Sequence, residues 1–176
     1  MTPENCKKLT VNAEDDLRFF SNSGKKDRER WVFDRWRQIT NMPSLAPIEG
    51  EGPDFVFAGE SVEIVEVLRP NRLRHKEYKA DVKDLKQGQL PNPHDGADLQ
   101  DVIQNASCWV SDAVLTKANH YGSVAQQWIL VVYANYSWCD RTEWARIRAD
   151  VTDGTKTFKR IDILTADGTR VEQIKP

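Results

Sequence analysis

The chain switches between a helical and a strand-like spacing of apolar residues, and the switches mark its elements. Ala13 to Phe20 has helical spacing and is broken by Ser21-Asn22-Ser23-Gly24. Lys25 to Thr40 predicts a longer helix, because Val32, Trp36 and Ile39 fall at i, i+4 and i+7. A loop rich in Pro, Gly and Glu follows, with a short strand expected around Ala46-Pro47-Ile48. Asp54–Phe57 and Val62–Leu68 then read as two strands joined by Ala58-Gly59-Glu60-Ser61.

Arg72 to Gln87 is polar and reads as a helical or irregular excursion, and Gln89 to Gly96 as a loop. Asp98 is placed to cap a helix reaching Tyr121, with Val102, Ala106, Val110 and Val114 on one face. Trp128–Ala134 is wholly apolar, the pattern of a strand covered on both faces. Arg141–Asp150 suggests a further helix, and Phe158–Leu164 with Arg170–Ile174 a terminal hairpin. This order implies an α/β sandwich around one mixed sheet, expected as a single domain over 1–176. Residues 1–12 are expected to be loosely ordered, and 135–176 to form a C-terminal extension of helix and hairpin.

The polar positions that break this pattern carry the chemistry. Asp54 opens one apolar strand and Glu63 interrupts the next. A carboxylate in such a strand is costly unless it is paired or binds a metal. A four-residue turn at 58–61 sets Asp54 opposite Val65 and makes Asp54 and Glu63 diagonal neighbours on one face, roughly 7–8 Å apart at the backbone. Two converging carboxylates suit magnesium, which is held by one or two protein carboxylates plus water and phosphate oxygens. Glu66 has the opposite parity and is expected to point away.

Two further residues are candidates. Glu29 extends the buried stripe of the first long helix by one turn, so it could supply a third acid. The alternatives are a first-turn glutamate favouring the helix dipole or an ordinary i, i+4 ion pair. Lys117 continues the row Val110, Val114, Lys117, Tyr121, so it either snorkels to solvent or meets a buried carboxylate. His120 and Tyr121 are expected to be packing residues.

Composition narrows the classes. The net charge of −2, from 25 basic and 27 acidic residues, gives no global sign of nucleic-acid binding. Basic residues do cluster, at Lys25–Arg37 and at Arg69–Lys79, but acids dilute each cluster, so each reads as a solvated charged face ahead of a phosphate-binding patch. The three cysteines are far apart and lack ligand spacing, which argues against a zinc site or a disulfide scaffold. Six tryptophans read mainly as packing residues. No run is long enough to span a bilayer and the start lacks the apolar core of a signal peptide, so a cytoplasmic protein is expected.

Arg28-Glu29-Arg30-Trp31-Val32, Pro53-Asp54-Phe55-Val56-Phe57, Val62-Glu63-Ile64-Val65-Glu66-Val67-Leu68 and Lys117-Ala118-Asn119-His120-Tyr121 occur in that order. Together they resemble a small bacterial family catalogued as putative endonucleases with the restriction-endonuclease-like, PD-(D/E)xK fold. The likeness spans about residues 17 to 135. It implies Glu29, Asp54 and Glu63 as an acidic triad for magnesium, with manganese as substitute, and hydrolysis of DNA phosphodiester bonds. The wider pattern places a lysine where this chain has Val65, so Lys117 becomes the candidate displaced lysine. The alternative is a catalytically inactive nuclease-fold module that binds protein or nucleic acid. The oligomeric state is left open.

Overall fold

The computed structural model describes residues 3–72, 74–91, 99–136, 138–151 and 156–175. The helices are α1 (Pro3–Phe19), α2 (Lys25–Ile39), α3 (Arg74–Lys86), α4 (Leu99–Tyr121) and α5 (Trp144–Asp150). The strands are β1 (Ile48–Glu49), β2 (Phe55–Phe57), β3 (Glu60–Val67), β4 (Trp128–Ala134), β5 (Arg160–Thr165) and β6 (Val171–Lys175). Asp98, the expected cap of α4, and much of the expected 89–96 loop lie outside the described residues. The helix expected at Ala13–Phe20 starts earlier, at Pro3, where a proline in the first turn loses no intrahelical bond.

These elements form two compact units. The first comprises residues up to Arg30 and Asn71–Gly96. In it, Ala13 and Leu17 of α1 pack with Val82 and Leu85 of α3. Phe20 stacks on Tyr78 at 5.0 Å, and the Arg74 guanidinium covers Phe20 at 4.4 Å.

The second unit comprises Trp31–Pro70 and Ala97–Pro176 and holds a six-stranded mixed sheet in the order β1-β2-β3-β4-β5-β6. β3, β4 and β5 are parallel, while β1, β2 and β6 pair antiparallel at the edges. All seven residues of β4 are buried, which explains its unbroken apolar sequence. On one face α4 and α5 cover Leu130, Val132, Ile161 and Ile163. On the other, Val32, Phe33 and Trp36 of α2 cover Phe55, Phe57, Val62, Ile64 and Val131. The expectation of a mixed central sheet flanked by helices therefore holds within this unit.

The β2–β3 register corrects the expected turn. Phe57 pairs with Glu60 and Phe55 with Val62, so the connection is the two-residue turn Ala58-Gly59. Both turn residues have positive φ, at 50° and 82°, as a primed hairpin turn requires. The shift is two residues, and an even shift leaves every side chain on its expected face. One step beyond the Phe55–Val62 pair, the next positions in register are Asp54 and Glu63.

A buried polar network ties α2 to β5. The Trp36 indole Nε1 donates to Asp162 Oδ2 at 2.6 Å, and Arg160 reaches the same carboxylate through Nε at 3.0 Å and Nη2 at 2.8 Å. Asp162 is fully buried, whereas the Arg160 side chain is 26% exposed.

The β5–β6 turn supplies one test of the packing. Gly168 has φ +65°, and a Cβ there would lie 2.9 Å from Trp31 Cη2. Gly168→Ala combines a left-handed backbone with overpacking, so a loss of about 1–3 kcal/mol is expected in urea denaturation. An unchanged midpoint would mean that Trp31 is free to move aside.

Candidate functional site

The sheet face beneath α4 carries Glu63, Val65 and Val67, because β3 alternates sides with a period of two. Val65 and Val67 join the apolar cluster there. Glu63, only 1% exposed, is the polar exception. Its partners come from the C-terminal end of α4, where Lys117 and Tyr121 stand four residues apart and so share a helix face. The Lys117 ammonium donates to Glu63 Oε1. The Tyr121 hydroxyl donates to the same oxygen at 2.9 Å. Lys117 also lies 5.6 Å from the centre of the Tyr121 ring.

The other carboxylate oxygen, Glu63 Oε2, is buried and has no hydrogen-bond partner among the described residues. An unsatisfied carboxylate oxygen in that setting is expensive. It is the kind of atom that a cation or a water would satisfy.

Asp54 is held differently. Its Oδ2 accepts the Ile64 backbone N–H at 2.8 Å, so the side chain supplies an acceptor just beyond the end of β2. The chain before it bends closely past Tyr121: a Cβ on Gly52 would lie 3.6 Å from Tyr121 Cε1. That distance is ordinary van der Waals contact, and it is the φ of +144° at Gly52 that favours glycine.

The structure thus gathers Glu63 and Lys117, both candidates from the sequence, with Tyr121, which its position in the sequence assigns to packing. The i, i+4 spacing of Lys117 and Tyr121 is the signal that points to Tyr121. It is hidden because a tyrosine on an apolar stripe looks like core. His120, beside it, is exposed and meets the Tyr121 ring edge-on. Glu29 belongs to the first unit, where its half-buried carboxylate pairs with Lys25 at 3.2 Å, the i, i+4 alternative. Glu66 has the expected opposite parity and accepts a hydrogen bond from the Asn135 amide at 2.6 Å. Among the described residues, no group of three or more His, Cys, Asp or Glu side chains is arranged to hold a metal ion.

A cavity of about 390 Å³ opens elsewhere in the second unit, between Tyr136, Trp138, Cys139, Thr165 and Arg170. Hydrogen bonds from Thr169 and Thr165 hold the Asp167 carboxyl at its edge below the usual range. Burial pushes the Tyr136 hydroxyl up, so it stays protonated at neutral pH. This cavity does not include the Glu63 cluster.

The family described as "Putative endonuclease, protein of unknown function (DUF1780)" matches residues 3–94. The chain belongs to this family. The matched span includes Glu29, Asp54, Glu63 and the whole of α3, while Lys117 and Tyr121 lie beyond it. No curated protein matches the chain. A solved structure from Pseudomonas aeruginosa strain PAO1, described as a protein of unknown function of the monooxygenase superfamily, is similar at 20% identity. That similarity covers 94% of this chain and 82% of that one, with a TM-score of 0.45. Among the described residues, no helix is long and apolar enough to cross a membrane.

Proposed function

We propose that this protein is a magnesium-dependent endonuclease hydrolysing DNA phosphodiester bonds, with a restriction-endonuclease-like arrangement of its α/β sandwich. The observation that carries the reading is the divided state of Glu63. One of its oxygens is tied to Lys117 and Tyr121, while the other is buried without a partner among the described residues.

The donor set fits the ion. Carboxylate oxygens are hard ligands, and magnesium commonly takes only one or two of them from protein, with manganese as a substitute. Asp54 and Glu63 would hold it. The ion would supply a more acidic bound water and charge neutralisation at the phosphate. Tyr121 fixes the orientation of the Glu63 carboxylate through its hydroxyl. Lys117 balances the Glu63 charge and offers its remaining N–H groups to a phosphate oxygen on which charge builds. This helix-borne ammonium takes the role of the strand lysine that Val65 displaces.

A second reading is favoured by the same contact. A buried Glu–Lys pair also occurs as a structural ion pair, which would leave an inactive module that binds protein or nucleic acid. Nicking of supercoiled plasmid separates the two. The endonuclease reading expects nicking with magnesium or manganese, none in EDTA, and a loss greater than about 100-fold for Asp54→Ala, since even outer-shell changes cost 10–100-fold. Absence of nicking by the wild type would favour the inactive module, and an unchanged rate in Asp54→Ala would remove Asp54 from the mechanism.

A further inference from the structure

The net charge of −2 conceals a sharp segregation on α3. At about 100° per residue, His75, Lys76, Lys79, Lys83 and Lys86 fall within an arc of roughly 100°, and all five are exposed. The acids Glu77, Asp81 and Asp84 lie on a separate, half-buried arc. Val82 and Leu85 occupy the remaining side and are buried against Ala13 and Leu17 of α1.

The neighbouring cations are already engaged. Arg72 pairs with Glu77 at 3.0 Å, Arg69 with Asp101 at 3.0 Å, and Arg74 covers Phe20. Lys86 pairs with Glu14 at 2.6 Å. Lys76, Lys79 and Lys83 make no ion pair with any described residue. Three like charges along two turns of one helix repel one another, and salt screens that repulsion.

We infer that the exposed lysine face of α3, centred on Lys76, Lys79 and Lys83, is a docking surface for the phosphate backbone of duplex DNA. This rests on the reading of DNA as the substrate and names a surface that would hold it. Lys76 and Lys83 are about 10 Å apart along the helix, at 1.5 Å per residue, which spans about three steps of 3.4 Å on one DNA strand. The face holds point charges and no aromatic or apolar anchor, unlike the centre of a protein–protein interface. It does not suit lipid either, because the apolar side of α3 is already buried in its own unit and has nothing to insert into a bilayer. Contacts of this kind set affinity and orientation without reading sequence.

The test measures binding in EDTA, so it does not depend on catalysis. Fluorescence anisotropy with a labelled 20-base-pair duplex would be followed across a salt titration for the wild type, for K76Q/K79Q/K83Q and for K76R/K79R/K83R. The wild type should bind. The glutamine variant should bind at least about tenfold more weakly at 50 mM salt, on unrelated sequences alike. Its salt slope should be shallower by about 0.9 for each phosphate that the protein no longer neutralises. The arginine variant should retain binding, which excludes a folding defect. Wild-type protein without affinity for the duplex, or a glutamine variant with unchanged affinity and slope, overturns the inference. So does binding to phosphatidylserine vesicles in place of DNA. Retained duplex binding by a protein that never nicks would sink the endonuclease reading and leave this surface standing.

Discussion

A Glu63→Gln protein is expected to keep its fold and to lose metal-dependent nicking by more than about 100-fold. Glutamine preserves the shape and can still present a carbonyl oxygen to Tyr121 and Lys117. What disappears is the negative charge at Glu63, whose second oxygen is unsatisfied among the described residues. The freed Lys117 can turn to water, because its side chain is 26% exposed. Lys117→Met has the opposite balance: it leaves the Glu63 carboxylate, 2% exposed, with only a phenol for company. Breaking a buried pair from that side costs about 3–5 kcal/mol. Urea denaturation should therefore rank Lys117→Met well below Glu63→Gln in stability. The reverse order would show that Glu63 is better solvated than its burial indicates.

Arg160→Met is expected to destabilise the second unit by about 3–5 kcal/mol, more than Asp162→Asn at about 1–2 kcal/mol. Asp162 is fully buried, and without Arg160 it keeps only the Trp36 indole N–H. With asparagine in place of Asp162, the indole still has an acceptor and the guanidinium can reach solvent. For a chain of this length each kcal/mol shifts Tm by about 2–4 °C, so Arg160→Met should melt roughly 6–20 °C lower. Equal melting temperatures for the two variants would mean that water already reaches Asp162.

Several of these features are legible in the residues alone. β4 is clear because seven consecutive apolar residues suit a strand covered on both faces. The faces of the β2 and β3 residues follow from parity, even though the turn is two residues shorter than expected. The turn itself is hidden by Ala58, since positive φ at an alanine leaves none of the Asn-Gly or Asp-Gly signal that marks a two-residue hairpin. The Lys117–Glu63 contact can be named only as one of two outcomes, because periodicity fixes the face of a helix but not the residue it meets on a sheet. Asp162 escapes notice for a related reason. Its partners lie 2 and 126 residues away, and local spacing carries no trace of the longer link. On α3 the clustered cations are visible in the sequence, but which of them are already engaged is not.

Magnesium titration by isothermal calorimetry, run on the wild-type protein and on Glu63→Gln, probes the core of this account most directly. A saturable heat with the wild type that vanishes in Glu63→Gln is the predicted result. No saturable heat with the wild type, or the same isotherm for both proteins, would contradict it and leave Glu63 and Lys117 as a structural ion pair.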